Sequence, residues 1–195
     1  EGYPENDPEK ARGYYEAAGE NPYAYISLGQ IYYFGQEKEA DQEKGKEYYD
    51  KAINLGCTDA YFGLGQMAQA EEDYATAMDN YMKEIEEGTE QLYIANSMLC
   101  VGSLYYSGAG VEQNYDTAIE WYEKAAKLNN TQAMYHVGWT YTQEGVANGQ
   151  KAIEWYEMAA ELNYSDAMAS LGDLYRFGNL VEQDFSKAIE WYEKA

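Results

Sequence analysis

A chain of 195 residues with 46 % apolar side chains can bury a substantial core, which excludes wholesale disorder. Its 35 acidic residues against 13 basic ones give a formal charge of −22, a field that repels phosphate backbones and anionic lipid. Neither nucleic acid nor a membrane surface is therefore an expected partner.

Taken in chain order, the three prolines come first: Pro4, Pro8 and Pro22. Everything after residue 22 lacks the side chain that most reliably breaks helices. The segment PEKARGYYEAAGEN, starting at Pro8, reads as a lone helix carrying the pair Tyr14-Tyr15. From there an apolar residue followed by glycine recurs at Leu28-Gly29, Leu64-Gly65, Val101-Gly102, Val137-Gly138 and Leu171-Gly172. Successive glycines are 36, 37, 36 and 34 residues apart. Five residues before each stands Ala24, Ala60, Ser97, Ala133 or Ala167, and three after it Tyr32, Ala68, Tyr105, Tyr141 or Tyr175. A fixed period in the thirties marks a helical solenoid.

Each unit reads as two helices. The phrase AIEWYEKA stands at 118–125 and again at 188–195, with AIEWYEMA at 152–159. In the first copy Ala118, Trp121, Tyr122 and Ala125 follow the i, i+3, i+4, i+7 rule of one helical face. Glu120–Lys124 and Glu123–Lys127 are i, i+4 pairs with the acid N-terminal, the favourable order on a solvated face. A glycine within a helix costs about 1 kcal/mol relative to alanine. One in every first helix implies that helix backbones approach too closely there for a Cβ. The 23 Tyr and 4 Trp, against 4 Phe, suit positions half inside a core and half at its edge.

The unit resembles the Sel1-like repeat, a relative of the tetratricopeptide repeat, with an A-x-x-x-L-G-x-x-Y first helix, a glycine-containing loop and K-A-x-x-W-Y-x-K-A-A. The match is closest over Ser97 to Asn129, loop phrase YYSGAGVEQNYDTA included, and looser over 24–55, where Gly45 replaces alanine. The resemblance implies an all-α fold: a right-handed superhelical solenoid of antiparallel helix pairs, about 11 helices in all. An orphan second helix is expected over 1–22, followed by five repeats over 23–57, 58–93, 94–130, 131–164 and 165–195 in one continuous array. The second repeat departs from the pattern. From its Gly65 to the small residue of its second helix, Ala77, is 12 residues rather than the 16 of most repeats. That is tetratricopeptide spacing, as is the look of DYATAMDNY. The missing residues return as TEQLY at 89–93, and an irregular step is expected there. From the orphan helix at one end and the uncapped helix at the other, either a window on a longer protein or flexible ends are expected.

Chemistry finds little footing. His136 is the single histidine, and Cys57 and Cys100 sit in other repeats, too scattered for a metal site. GAGVEQN at 108–114 lacks nucleotide-loop spacing, and the acids of Glu71–Glu90 lack the spacing of a calcium loop. No catalytic residue, cofactor or metal is expected, and the chain is read as a non-enzyme. Some secreted Sel1-like proteins carry a disulfide staple in each repeat. Here its positions hold Ala125, Met134, Ala159 and Met168, so a reducing compartment is slightly favoured.

Tetratricopeptide repeats line their concave groove from positions −6, −3, +1, +4 and +5 around the glycine. What the resemblance implies here is a peptide-binding groove. It takes Tyr23, Ile26, Gln30, Tyr33 and Phe34 from the first repeat, and Phe62, Gln66 and Gln69 from the second. Ser103 and Tyr106 come from the third, Gln132, Tyr135, Trp139, Thr142 and Gln143 from the fourth, and Asp173, Arg176 and Phe177 from the fifth. Sel1-like proteins generally act as adaptors, so the expected partner is a protein or peptide segment. The alternatives are a regulatory or substrate-docking arm of a larger enzyme, and a basic partner or cations held by the acidic stretch Glu71–Glu90. A weak homodimer through the terminal repeats is a further expectation.

Overall fold

The structure, a computed structural model, describes residues 8–35 and 41–195. Positions 1–7 of the expected N-terminal segment, and 36–40 of the first repeat, lie outside it. The described residues form eleven helices and no strand, as the periodicity predicts. They divide into two compact units, Glu1–Ser97 and Met98–Ala195, with the division falling inside α6.

In the first unit α1 (Pro8–Ala17) lies against α2 (Pro22–Phe34), α2 pairs with α3 (Gln42–Asn54), and α4 (Ala60–Ala70) pairs with α5 (Tyr74–Glu87). Its core gathers Ile26, Tyr33, Tyr49, Ala52, Cys57, Ala60 and Met67. The helix α6 (Gln91–Ser107) leads into the second unit. There α7 (Tyr115–Lys127), α8 (Thr131–Thr140), α9 (Gly149–Glu161), α10 (Ser165–Phe177) and α11 (Phe185–Lys194) pack each on the next. Asparagine or aspartate opens most of these helices. Asn114, Asn130 and Asn148, for example, accept from the Thr117, Ala133 and Lys151 amides at 2.9–3.1 Å, caps worth about 1 kcal/mol each.

The repeated glycines are explained by a side chain rather than by touching backbones. A Cβ on Gly29 would come 2.9 Å from the ring of Tyr49, and one on Gly65 2.5 Å from that of Tyr81. In the second unit Gly102 meets Tyr122 at 2.6 Å, Gly138 meets Tyr156 at 2.7 Å and Gly172 meets Tyr192 at 2.5 Å. So the glycine of each first helix is the floor on which the tyrosine of the second helix lies, correcting the expected backbone-to-backbone contact. Tyr49, Tyr81, Tyr122 and Tyr156 are almost completely buried. Burying one large apolar side chain contributes roughly 1.5–3 kcal/mol, enough to offset the glycine's poor helix propensity.

The irregular second repeat carries a different device. Asp59 occupies the cap position of α4 but makes no capping bond to it. Instead its buried carboxylate reaches the join before α6, accepting from the amides of Thr89 at 2.8 Å and Glu90 at 3.1 Å. The Tyr23 hydroxyl of α2 donates to the same carboxylate at 3.2 Å, so one acid ties three segments together. Glu84, near the end of α5, is also fully buried, and neither of its oxygens is hydrogen-bonded. Its carboxyl fills the space that a Cβ on Gly88 would need. Burial first, and the neighbouring Asp59 charge second, push its pKa up to about 8, so the group is largely protonated at neutral pH. Within the acidic stretch Glu71–Glu90, Glu84 is thus inside the protein, while Glu71, Glu72, Asp73, Glu86, Glu87 and Glu90 are exposed.

Two outcomes follow from these contacts. Gly138→Ala should lose about 1–3 kcal/mol in urea unfolding, as overpacked cores do. Gly13→Ala in α1, where a new Cβ meets nothing within 4 Å, should instead be neutral or gain up to about 1 kcal/mol. Equal effects at the two positions would dismiss the ring contact as the reason for the glycine. The second outcome concerns pH. An unfolded glutamate ionises near 4.5 and folded Glu84 near 8, so between these values the folded state holds the extra proton. Glu84 then subtracts stability as pH rises, by up to about 1.4 kcal/mol per unit, with no further change below or above that window. Glu84→Gln should gain on the parent chain across the same window in urea titrations; a constant difference between the two would contradict the buried acid.

Candidate functional site

The expected groove positions separate by the direction they face. Ile26, Tyr33 and Phe62, at −3 or +4, are buried and belong to no open surface. Ile26 and Tyr33 join the core of the first unit, and the Tyr33 hydroxyl donates to the Met67 carbonyl at 3.2 Å. Phe62 packs on the rings of Tyr81 and Tyr93 at 6.2 and 5.7 Å. The physical reason is that α2 and α4 contact each other directly, so the flank turned toward the next first helix is covered. At +1 and +5, Gln30, Trp139 and Asp173, with Phe34 and Phe177, are exposed, while Ser103 and Gln143 are half-buried. Tyr23 and Gln132, at −6, are also exposed, but the Tyr23 hydroxyl is committed to Asp59. Gln66 is half-buried, and Gln69 accepts from the Tyr81 hydroxyl at 2.8 Å.

The second unit brings several of these residues together. Trp139, on α8, is 42 % exposed, because Val137 and Gly138 already occupy the buried stripe of that helix. Its indole Nε1 donates to the Tyr106 hydroxyl at 2.8 Å, and its ring stands 6.4 Å from that of Tyr135. Tyr135 is half-buried rather than open, wedged against Tyr156 and Tyr164 at 5.6 and 5.4 Å. Trp139 and Thr142 face Asp173, Leu174 and Phe177 of α10 across a concave pocket of about 260 Å³. Tyr156 and Ser170 complete its floor, and Asn179 and Leu180 its far wall.

Polar groups at this pocket are held in place. Thr142 Oγ1 donates to the Trp139 carbonyl at 2.7 Å, and Asp173 Oδ1 accepts from the Tyr192 hydroxyl at 2.6 Å. Ser103 accepts from the Tyr122 hydroxyl at 3.2 Å in the equivalent way. The Arg176 guanidinium lies over the Phe177 ring, 4.8 Å from its centre. An aromatic and aliphatic hollow with a few fixed polar atoms is suited to seating one large side chain of a bound segment. The sequence offsets reach Trp139, Thr142, Asp173 and Phe177 but miss Tyr156, Ser170, Leu174, Asn179 and Leu180. Ser170 stands two residues before Gly172, where Gly63 and His136 stand in their repeats. That equivalence was a signal available in the period itself.

His136 serves packing. Its ring stacks on Tyr122 at 5.3 Å and meets Tyr135 edge-on at 5.4 Å, and burial pulls its pKa below the ordinary imidazole value. Among the described residues no three His, Cys, Asp or Glu side chains are grouped to hold a metal ion. Nor, among them, is any helix long and apolar enough to cross a membrane.

A family model of the Sel1 repeat matches residues 1–21, 22–57, 94–130, 131–164 and 165–195. Residues 58–93, with the short spacing and the Asp59–Glu84 device, lie between these matches. Among solved structures, the Sel1 repeat protein from Oxalobacter formigenes is 26 % identical with a TM-score of 0.73, over 96 % of this chain and 83 % of that one. The protective antigen c5321 of uropathogenic Escherichia coli strains, which displays an SLR fold, is also 26 % identical with a TM-score of 0.73. It covers 96 % of this chain, which spans 40 % of that longer one. YrrB, a TPR protein with an unusual peptide-binding site, shares the fold at 24 % identity and a TM-score of 0.56, over 96 % of this chain and 91 % of its own. No curated protein sequence matches the chain.

The contact between Trp139 and Tyr106 makes the site's geometry measurable. Tyr106→Phe should move the Trp139 indole N–H resonance upfield in the proton NMR spectrum while costing about 1 kcal/mol or less in stability. An unmoved resonance would mean that the indole points elsewhere.

Proposed function

Since the chain belongs to the Sel1 repeat family, whose members generally mediate protein–protein interaction, we propose that it is a non-enzymatic scaffold that holds a segment of a partner protein against α8 and α10. The observation that carries this reading is Trp139, a large aromatic left exposed beside a hollow of about 260 Å³. The indole N–H is held by Tyr106, while the buried stripe of α8 is complete without the Trp139 ring, which leaves part of that ring open beside the hollow. Tyr and Trp dominate binding hot spots because they bury much area with little loss of side-chain freedom. A bound segment would place one large side chain between Trp139 and Phe177, with Thr142 and Asp173 taking its backbone or polar tip.

The likeness to YrrB adds the fold and no more. Support for a peptide ligand rests on this chain's own residues. Ile26, Tyr33 and Phe62 take no part in it, being inside the protein.

Affinity capture from the source organism, followed by titration of the captured protein, tests this. Trp139→Ala should weaken the complex by roughly 30-fold, about 2 kcal/mol, and leave the helical circular dichroism unchanged. An unaltered affinity would remove the pocket from the interface.

A further inference from the structure

Two donors at the rim of the Trp139 pocket are committed within the fold. The indole N–H of Trp139 goes to the Tyr106 hydroxyl at 2.8 Å, and the Thr142 hydroxyl proton goes to the Trp139 carbonyl at 2.7 Å. Asp173, by contrast, is an acceptor with capacity to spare. It is exposed, and the Tyr192 hydroxyl engages its Oδ1 at 2.6 Å, which leaves most of the roughly four lone-pair sites of a carboxylate. Beside this acid stand the aromatic faces of Trp139, Tyr156 and Phe177. Elsewhere the chain covers such faces with its own cations: Lys124 lies 3.6 Å from the centre of the Trp121 ring, and Lys194 4.1 Å from that of Trp191. Among the described residues no lysine or arginine lies over Trp139. Arg176 stacks on Phe177, and among the described residues no ion pair engages Asp173.

We propose that this pocket takes an arginine side chain from a basic segment of a partner protein. The inference rests on the scaffold reading above and names the chemistry of what is held. A guanidinium laid over the Trp139 indole gains from the ring's negative face, and its N–H fork matches the Asp173 carboxylate. The apolar stem of the side chain covers Leu174 and Leu180. An aliphatic side chain would fill the same hollow and leave the acid unused. Charge supplies the second argument: a chain at −22 draws a basic segment toward it and repels an acidic one. A second copy of this chain is a poor occupant, since its arginines are Arg12 and Arg176, each laid over a ring of its own fold. The pocket also owes nothing to the end of the sequence. Every wall residue lies between 139 and 180, and α11 packs against α10 beyond them.

The test is a proton NMR titration of the Trp139 indole N–H in the full chain. The probes are capped Gly-Ser-X-Ser-Gly peptides in which X is arginine, citrulline or leucine. The arginine peptide should shift the resonance along a saturable curve and bind at least about fivefold tighter than the citrulline peptide, which keeps the shape of the side chain without its charge. Asp173→Asn keeps an oxygen for Tyr192 but removes the charge. It should weaken the arginine complex by about the same factor and leave the leucine peptide unaffected. Because Asp173 is exposed, the variant should keep the parent's urea unfolding curve. Added salt should weaken the arginine complex alone. Citrulline or leucine bound at Trp139 as tightly as arginine overturns the proposal and leaves the scaffold reading standing. So does arginine binding indifferent to Asp173→Asn. No shift with any of the three peptides, as when another segment of the same chain fills the hollow, overturns both. Self-association of the chain that Asp173→Asn abolishes, seen by sedimentation, would make a second copy the occupant and overturn the partner protein.

Discussion

A tyrosine ring resting on a glycine sets the geometry of every repeat. The ring of the second helix replaces the missing Cβ of the first, fixing how closely the two helices pack and in which register. Its other side meets the following repeat: Gly63 lies against Tyr49, and His136 stacks on Tyr122. One side chain thus holds its own pair together and receives the next. That dual role explains why an unfavourable helix residue recurs at a nearly constant interval: alanine would push the ring away and loosen both contacts at once.

The tip of the same tyrosine decides what the exposed side of the first helices looks like. In the third and fifth repeats the residue after the glycine supplies that hydroxyl with a partner, Ser103 for the buried Tyr122 and Asp173 for the more open Tyr192. In the fourth repeat that position is Trp139, which cannot accept a hydrogen bond. The indole turns to Tyr106 instead, and Tyr156 and Ser170 are left lining a hollow. The pocket exists where the repeat departs from its own rule. In the first repeat the alternative is worse satisfied, since Gly63 offers no side chain and the Tyr49 hydroxyl is buried without a partner.

The second repeat departs further. Its short loop cannot make the long approach to the second helix, and the chain recovers the difference at 89–93. Asp59 holds that recovered segment by giving up the cap of its own helix. A charged acid satisfied by two amides and two hydroxyls is stable when buried, and its pKa is held below the usual carboxylate range. Glu84 beside it has no such partners, so the low dielectric and the Asp59 charge keep it protonated. Two acids that look alike in sequence therefore take opposite charge states, because one lies among donors and the other does not.

Periodicity alone was enough to reveal the helices, the period and the inward residues Ala118, Tyr122, Val137 and Leu171, because a 3.6-residue stripe is written directly in the order of side chains. The family pattern, carried over by offset, reached Trp139, Thr142, Asp173 and Phe177. It erred at Ile26, Tyr33 and Phe62, which one offset rule could not separate from open positions. Whether a helical side chain is open depends on what stands beside its helix, and neighbours of neighbours are set by packing between repeats. The same limit hid Glu84 within an acidic run. Local order determined which face each residue takes; only the tertiary structure decided whether that face meets protein or water.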